Sequence, residues 1–382
     1  MRSAAVAKVI KVSKTPLLPR FVAAVNQLMN VIGKGRLPNL CDMVSLNRRR
    51  LIVICRLAPL LAMTVLTACA KPYTQPSPGE HTAAQLTKSY ALMEDGYRLP
   101  LSQWPAVRQT RAVVLALHGL NDYSIAFDNL GRYLSDHGIT VIAYDQRGFG
   151  TTAGHGLWHG SERLSGDLVT MTRLLREHYS DTPLYVLGES MGGAVVLSSL
   201  ASTSLDIDGS VLVAPAVWAR QTMPYYQRAA LWLAAHTFPD KRLTGKNLDI
   251  TPSDNIDMLR ALHQDDRVIK ATRVDVLYGI SNLMDKALER AGDVSGNMLF
   301  LYGRHDDIIP ALPTCELYGN LTNAEHNELT AILYQDGYHM LTRDLQAHVV
   351  LQDIATWIDE SALQSNTNNS LRHYCATQAK TE

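Results

Sequence analysis

From Tyr90 onward the chain alternates short apolar runs with longer amphipathic stretches. The apolar runs predict strands over residues 112–117, 141–144, 184–187, 210–214, 298–302 and 332–334. Unbroken apolar character, rather than strict alternation, suits strands covered on both faces, as in a mostly parallel sheet. Between the runs, apolar positions recur at helical spacing over 126–137, 161–178 and 191–201, and a last helix is predicted over about 344–363. Alternation of this kind predicts an α/β fold with helices on both faces of a central sheet.

Two segments break the rhythm. Residues 216–293 are long, mostly helical in pattern, and carry Trp218, Tyr225, Tyr226, Trp232 and Phe238. An insertion of that size between two core strands predicts a helical cap over the ends of the sheet, most of its aromatics packing the insertion's own small core. The core itself is then expected over 89–215 and 294–363. The polar stretch 364–382 is expected to be a disordered tail.

Within this pattern one turn carries chemistry. Leu184-Tyr185-Val186-Leu187 runs into Gly188-Glu189-Ser190-Met191-Gly192-Gly193 and then into Ala194-Val195-Val196-Leu197. Strand, tight turn and helix with G-x-S-x-G spacing is what a nucleophile elbow requires. The serine must hold a strained backbone, and the flanking glycines let strand and helix approach without Cβ clashes. The competing reading is a strand–helix turn whose serine caps the helix.

A serine hydroxyl becomes a nucleophile only beside a base, and the base needs an orienting carboxylate. In elbow sites the partners follow in the order Ser, Asp/Glu, His, each beyond a strand end. Asp306 follows the run 298–302, and His339 follows 332–334. Asp307 is a rival carboxylate, and His305, His118 and His155 are other imidazoles, none of them beyond a late strand in that order. Asp306 or Asp307 could equally serve turn amides. An oxyanion hole needs two converging N–H groups. Met191, after the serine, supplies one; Leu120 in Leu117-His118-Gly119-Leu120-Asn121 is the candidate for the other, since Gly119 permits an unusual turn, the alternative being that Gly119 only ends a strand.

Charge is zero overall but unevenly spread. Residues 1–68 hold 11 Lys/Arg and the single acid Asp42, leaving 25 basic against 35 acidic residues in the remainder. An acidic body argues against nucleic acid as a partner. The basic start reads as a targeting segment: Arg48-Arg49-Arg50, an apolar stretch from Leu57 to Leu66, then Leu66-Thr67-Ala68-Cys69. This resembles the lipobox of bacterial lipoproteins, in which the cysteine is lipidated and becomes the mature N-terminus. A transmembrane anchor would need about 20 apolar residues, and Arg56 and Pro59 interrupt the candidate. Met43 would give a signal of ordinary length, making residues 1–42 a start-site artefact. Residues 69–88, with Pro72, Pro76, Pro78 and Gly79, then read as a lipidated tether.

Of five cysteines, Cys41 and Cys55 precede the expected cleavage point, leaving Cys69, Cys315 and Cys375. A Cys315–Cys375 disulfide and two unrelated free thiols are both compatible with this spacing. No Cys/His spacing suggests a zinc site.

Taken together, Leu117-His118-Gly119, the stretch from Ala143 to Gly150, Gly188 to Gly193, Gly303 to Pro310 and Tyr338-His339-Met340 resemble the serine α/β-hydrolases. That family includes monoacylglycerol lipases, bacterial lysophospholipases and serine aminopeptidase-like hydrolases. The resemblance covers about residues 90–360 in the family's order. It implies a Ser190, Asp306 and His339 triad, an oxyanion hole from Leu120 and Met191 amides, and a helical cap shaping an acyl-binding cleft. Thr151-Thr152 departs from a serine common in the family after Gly150, and no substrate-reading residue in the cap can be matched.

The expected function is therefore hydrolysis of carboxylic esters through an acyl-enzyme, with monoacyl lipids as substrates and no metal or organic cofactor. The enzyme would be lipid-anchored, facing the periplasm or the cell surface. An amidase or aminopeptidase on the same triad is the alternative; it would use a cap carboxylate such as Asp254, Asp257, Asp265 or Asp266 to bind a free amine. A non-catalytic surface lipoprotein is the reading from outside enzymology.

Overall fold

Each apolar run becomes a strand with both faces covered. The computed structural model describes residues 71–245, 249–324, 327–360 and 368–378. Its strands are β1 (Gln85–Leu86), β2 (Tyr90–Leu92), β3 (Arg98–Trp104), β4 (Ala112–Leu117), β5 (Ile139–Tyr144), β6 (Leu184–Glu189), β7 (Gly209–Val213), β8 (Arg242–Leu243), β9 (Thr272–Arg273), β10 (Gly296–Gly303) and β11 (Asn327–Tyr334). The main sheet runs β1-β2-β3-β5-β4-β6-β7-β10-β11. Pairing is parallel from β5 to β11 and antiparallel from β1 to β5. This is the α/β-hydrolase architecture that the resemblance implies.

Strand periodicity sorts the core into two layers. In β4, Ala112, Val114 and Ala116 face one layer, while Val113, Leu115 and Leu117 face the other. The first layer is closed by α1 (Asp128–Asp136) and α8 (Ala347–Glu360), whose Trp357 is fully buried. The second is closed by α2 (Ser161–His178), α3 (Met191–Leu200), α6 (Val274–Glu289) and α7 (Ala311–Asn323). The remaining helices are α4 (Tyr225–Thr237), α5 (Ile256–Gln264) and α9 (Asn368–Gln378). All belong to one of the two units into which the chain divides, Cys69–Thr244 with Ile250–Glu382.

Three expectations need correction. The segment 216–293 is not cap throughout: α6 packs against α3 and α2, and Val276, Ile280, Leu283 and Ala287, one stripe at helical spacing, join the main core. Only α4, the short β8–β9 pair and α5 stand as the insertion proper. The segment 69–88 is not a free tether along its described length. The Gln75 amide donates to Trp158 O, Arg163 donates to Gln75 O, and β1 pairs with β2. The tail is not wholly irregular either, because residues 368–378 form α9, which buries Leu371 and is joined to α7 by a Cys315–Cys375 disulfide.

Residues 1–70, with Met43, the basic cluster, Cys41, Cys55 and Cys69, lie outside the described residues, as do 361–367 and 379–382. Among the described residues no helix is long and apolar enough to cross a membrane.

Candidate active site

Ser190 sits between β6 and α3 with φ 53° and ψ −115°, a conformation non-glycine residues rarely adopt. Its neighbours hold it there. The Ser190 amide donates to Val213 O at 2.9 Å, and Ser190 O accepts from Ala194 N at 3.2 Å and Ala216 N at 2.8 Å. The glycines are steric necessities. A Cβ on Gly192 would lie 2.1 Å from Leu117 O, one on Gly188 2.6 Å from Gly192 backbone, and one on Gly193 2.7 Å from Pro215 Cβ. The capping alternative fails, because the Ser190 side chain makes no cap hydrogen bond.

The carboxylate and imidazole meet beyond the ends of the last two strands. Asp306 follows β10 and His339 follows β11; Asp306 Oδ2 lies 2.8 Å from His339 Nδ1, and both side chains are buried. The other Asp306 oxygen accepts the amides of Ile308 at 2.8 Å and Ile309 at 2.9 Å. A carboxylate held this way fixes the imidazole with Nδ1–H toward Asp306, leaving Nε2 as the basic nitrogen. Burial alone would disfavour the imidazolium. The charge and hydrogen bond of Asp306, aided by Glu189 and opposed by Arg343, outweigh it and hold His339 above the ordinary imidazole value.

The loop after β4 lies directly against the serine: a Cβ on Gly119 would sit 3.2 Å from Ser190 Cβ. Among the described residues neither the Leu120 nor the Met191 N–H has a hydrogen-bond acceptor. Met191 also opens α3, so the positive end of that helix points at the serine. The left-handed residue of this turn is Asn121, with φ 68°, and not Gly119, whose missing side chain serves the close approach to Ser190 instead.

The rival residues are engaged elsewhere. His118 Nε2 accepts from Gln146 N at 2.9 Å, its Nδ1 bonds Gly119 O at 2.8 Å, and burial lowers its basicity. It therefore holds the loop after β4 in place as a neutral ring. Asp307 accepts from Thr251 N at 3.2 Å. His155 bonds Gly150 O, and His305 is exposed. Among the described residues no three His, Cys, Asp or Glu side chains converge as metal ligands.

Sequence patterns give no sign of a second tier. Asp344 accepts from Ser253 Oγ at 2.6 Å and from Tyr338 N at 2.8 Å, and Met340 N donates to Pro252 O. On the other flank Tyr123 Oη donates to Asp265 at 2.6 Å, Asn121 Nδ2 donates to Thr272, and Ile269 N donates to Asn121 O. The insertion carrying α5 thus stands on two feet, one on the His339 loop and one on the loop after β4. Glu189, Asp122 and Arg343 form a buried ion cluster between the same loops. No spacing motif announces these contacts, since their partners are far apart in sequence.

The family model described as Serine aminopeptidase, S33, matches residues 108–346. The chain is similar to the human monoglyceride lipase, 24% identical over 289 residues, covering 72% of this chain and 90% of that one. It is similar to the monoacylglycerol lipase of Mycolicibacterium smegmatis, 22% identical over 275 residues, covering 69% and 93%. Among solved structures, a soluble variant of the Saccharomyces cerevisiae monoglyceride lipase in complex with a substrate analog superposes with a TM-score of 0.62. That likeness, at 19% identity over 77% of this chain and 99% of that one, speaks to the fold.

Proposed function

The chain belongs to the serine aminopeptidase, S33 family and is a serine ester hydrolase, and on that premise we propose that monoacyl lipids are the esters it cleaves. The observation that carries the catalytic reading is the buried 2.8 Å Asp306–His339 pair beside a strained serine at a strand–helix elbow. Ser190 Oγ attacks the ester carbonyl while His339 Nε2 takes its proton. The Leu120 and Met191 amides hold the oxyanion. Protonation of the leaving alcohol by His339 releases it, and water, activated by the same imidazole, then frees the acid and restores Ser190.

The substrate class is supported by the monoglyceride lipases among the relatives and by apolar side chains displayed on the insertion: Tyr225 is 82% and Trp232 50% exposed, with Leu233 and Phe238 alongside. Such a face suits contact with acyl chains or a lipid surface. Recognition of a free amine has less support. Of the four cap carboxylates, Asp254 accepts from Leu345 N, Asp257 pairs with Arg260, Asp265 is held by Arg267 and Tyr123, and Asp266 is exposed.

We also propose that the enzyme works outside the cytoplasm, anchored through a lipidated Cys69. The basic and apolar segments before Cys69 support this, as does the Cys315–Cys375 disulfide, a bond that persists in oxidising compartments. Fluorophosphonate labelling of wild type and Ser190→Ala, with turnover of p-nitrophenyl esters, monoacylglycerols, lysophospholipids and aminoacyl anilides, tests the catalytic reading. Labelling that survives Ser190→Ala would overturn the nucleophile; anilides preferred over long-chain esters would overturn the substrate class.

A further inference from the structure

Three buried charges join the loops that carry the reaction. Arg343 Nη1 donates to Asp122 Oδ2 at 2.7 Å and Nη2 donates to Glu189 Oε1 at 2.7 Å. Asp122, Glu189 and Arg343 are only 5%, 2% and 8% exposed. Glu189 directly precedes Ser190, Asp122 lies two residues beyond Leu120, and Arg343 lies four residues beyond His339. The second Glu189 oxygen accepts from Thr342 Oγ1 at 2.9 Å, so the His339 loop holds the elbow at two points. Asp122 also receives the Tyr123 amide, and its own amide donates to Gly119 O, which stiffens the oxyanion turn.

Burying one cation with two anions is costly, and apolar side chains of the same volume would stabilise a core at least as well. What apolar contacts cannot do is fix three separate loops in one orientation through directional, charge-assisted bonds. We propose that Arg343 is a positioning residue for the reaction, its guanidinium aligning the oxyanion loop, the nucleophile elbow and the His339 loop through Asp122 and Glu189. This rests on the reading of Ser190 as nucleophile and His339 as base. The cluster also faces the base electrostatically. The charges acting on His339 are Asp306 and Glu189, which favour the imidazolium, and Arg343, which opposes it.

The test uses purified protein with p-nitrophenyl butyrate kinetics across pH and a fluorophosphonate labelling rate, on wild type, Arg343→Met, Arg343→Lys, Glu189→Gln and Asp122→Asn. Misplacing reacting groups by about 1 Å costs on the order of 100-fold. Arg343→Met and Asp122→Asn should therefore lose about 10- to 100-fold in kcat with KM nearly unchanged. Arg343→Lys, which keeps the charge without the fork, should recover part of that loss. Glu189→Gln keeps the shape but removes a negative charge facing His339, so the acid limb of its pH profile should move to lower pH. If Arg343→Met fails to fold, the near-isosteric Glu189→Gln and Asp122→Asn variants carry the test. Folded variants with wild-type kcat, labelling rate and pH profile overturn the proposal, as does a loss confined to KM. Failure of wild type to label would instead overturn the underlying catalytic reading.

Discussion

Asp306 holds the Nδ1 edge of His339 at 2.8 Å while its other oxygen is occupied by the amides of Ile308 and Ile309. The carboxylate is therefore committed to one orientation, and its charge raises the imidazole above its ordinary value against the pull of burial. In the proposed mechanism the neutral imidazole is the working base, so activity should fall as pH drops and His339 takes a proton. The midpoint of that acid limb in kcat/KM should lie above about 6.5. Asp306→Asn removes the charge and leaves the burial, so the midpoint should move below it. The rate should fall about 10³- to 10⁴-fold from loss of the orienting acceptor. A variant profile superimposable on wild type would remove Asp306 from the machinery.

Gly192 tolerates no side chain, because its Cβ would lie 2.1 Å from a backbone oxygen of β4 that cannot swing away. Gly192→Ala must push α3 off β4 and displace Ser190 with it. Overpacking of this kind costs about 1–3 kcal/mol, to be read by chemical denaturation. Esterase activity should fall much further than stability does, since the displaced group is the proposed nucleophile.

Ser253 and Asp344 join the insertion to the His339 loop by a buried 2.6 Å bond. Burial already pushes the Asp344 carboxyl up to about 6. Ser253→Ala would leave that carboxylate one donor short, at a cost of roughly 1–3 kcal/mol. The loss should be local: amides of α5 should exchange faster with solvent, while those of β6 keep their protection. Uniformly faster exchange would mean that the bond supports the whole fold and not one foot of the insertion.

Cys69 makes the location reading testable without any structure at that residue. Lipidation requires the thiol, so Cys69→Ser expressed as the full chain should lose metabolic labelling by a radiolabelled fatty acid and move to the soluble fraction. It should keep its activity toward p-nitrophenyl butyrate. Equal labelling of wild type and Cys69→Ser would eliminate the anchor.

What is legible in the sequence is what is locally encoded. Strands β4 to β7 are buried on both faces, so Ala112–Leu117 and Leu184–Glu189 announce themselves as apolar runs. The elbow glycines mark themselves because only their spacing allows strand and helix to touch. Asp306 and His339 are found by order along the chain, a rule that needs no distances. Strand β3 escapes the pattern because it is half exposed, its Arg98, Ser102 and Gln103 diluting the apolar signal. The Asp122–Arg343–Glu189 cluster joins residues 221 and 154 positions apart. No local pattern distinguishes such charges from solvated ones, and Glu189 stands in the elbow motif at a position that admits any residue. Helix α6 reads as part of the cap because it follows the insertion without a break. Its apolar stripe identifies a helix but not which surface it meets.

Helix α9 reads as a disordered tail because Asn368–Gln378 is polar, and what holds it is mostly not local. Leu371 is buried against the sheet layer, Tyr374 packs near Tyr302, and Cys375 is bonded to Cys315 on α7. The crosslink closes a loop of 60 residues, for which the chain-entropy argument gives about 4 kcal/mol of stabilisation at most. Cys375→Ser should therefore lower the melting temperature, by roughly 10 °C if that full value is realised. Reductant should lower wild type toward the variant and leave the variant unchanged. Because Asp306 is held by His339 and by the amides of Ile308 and Ile309, none of them on α9, activity at 25 °C should survive the bond's loss. The amides of α9 should then exchange freely. A melting temperature indifferent to both reductant and substitution would mean that α9 is held by Leu371 and Tyr374 alone.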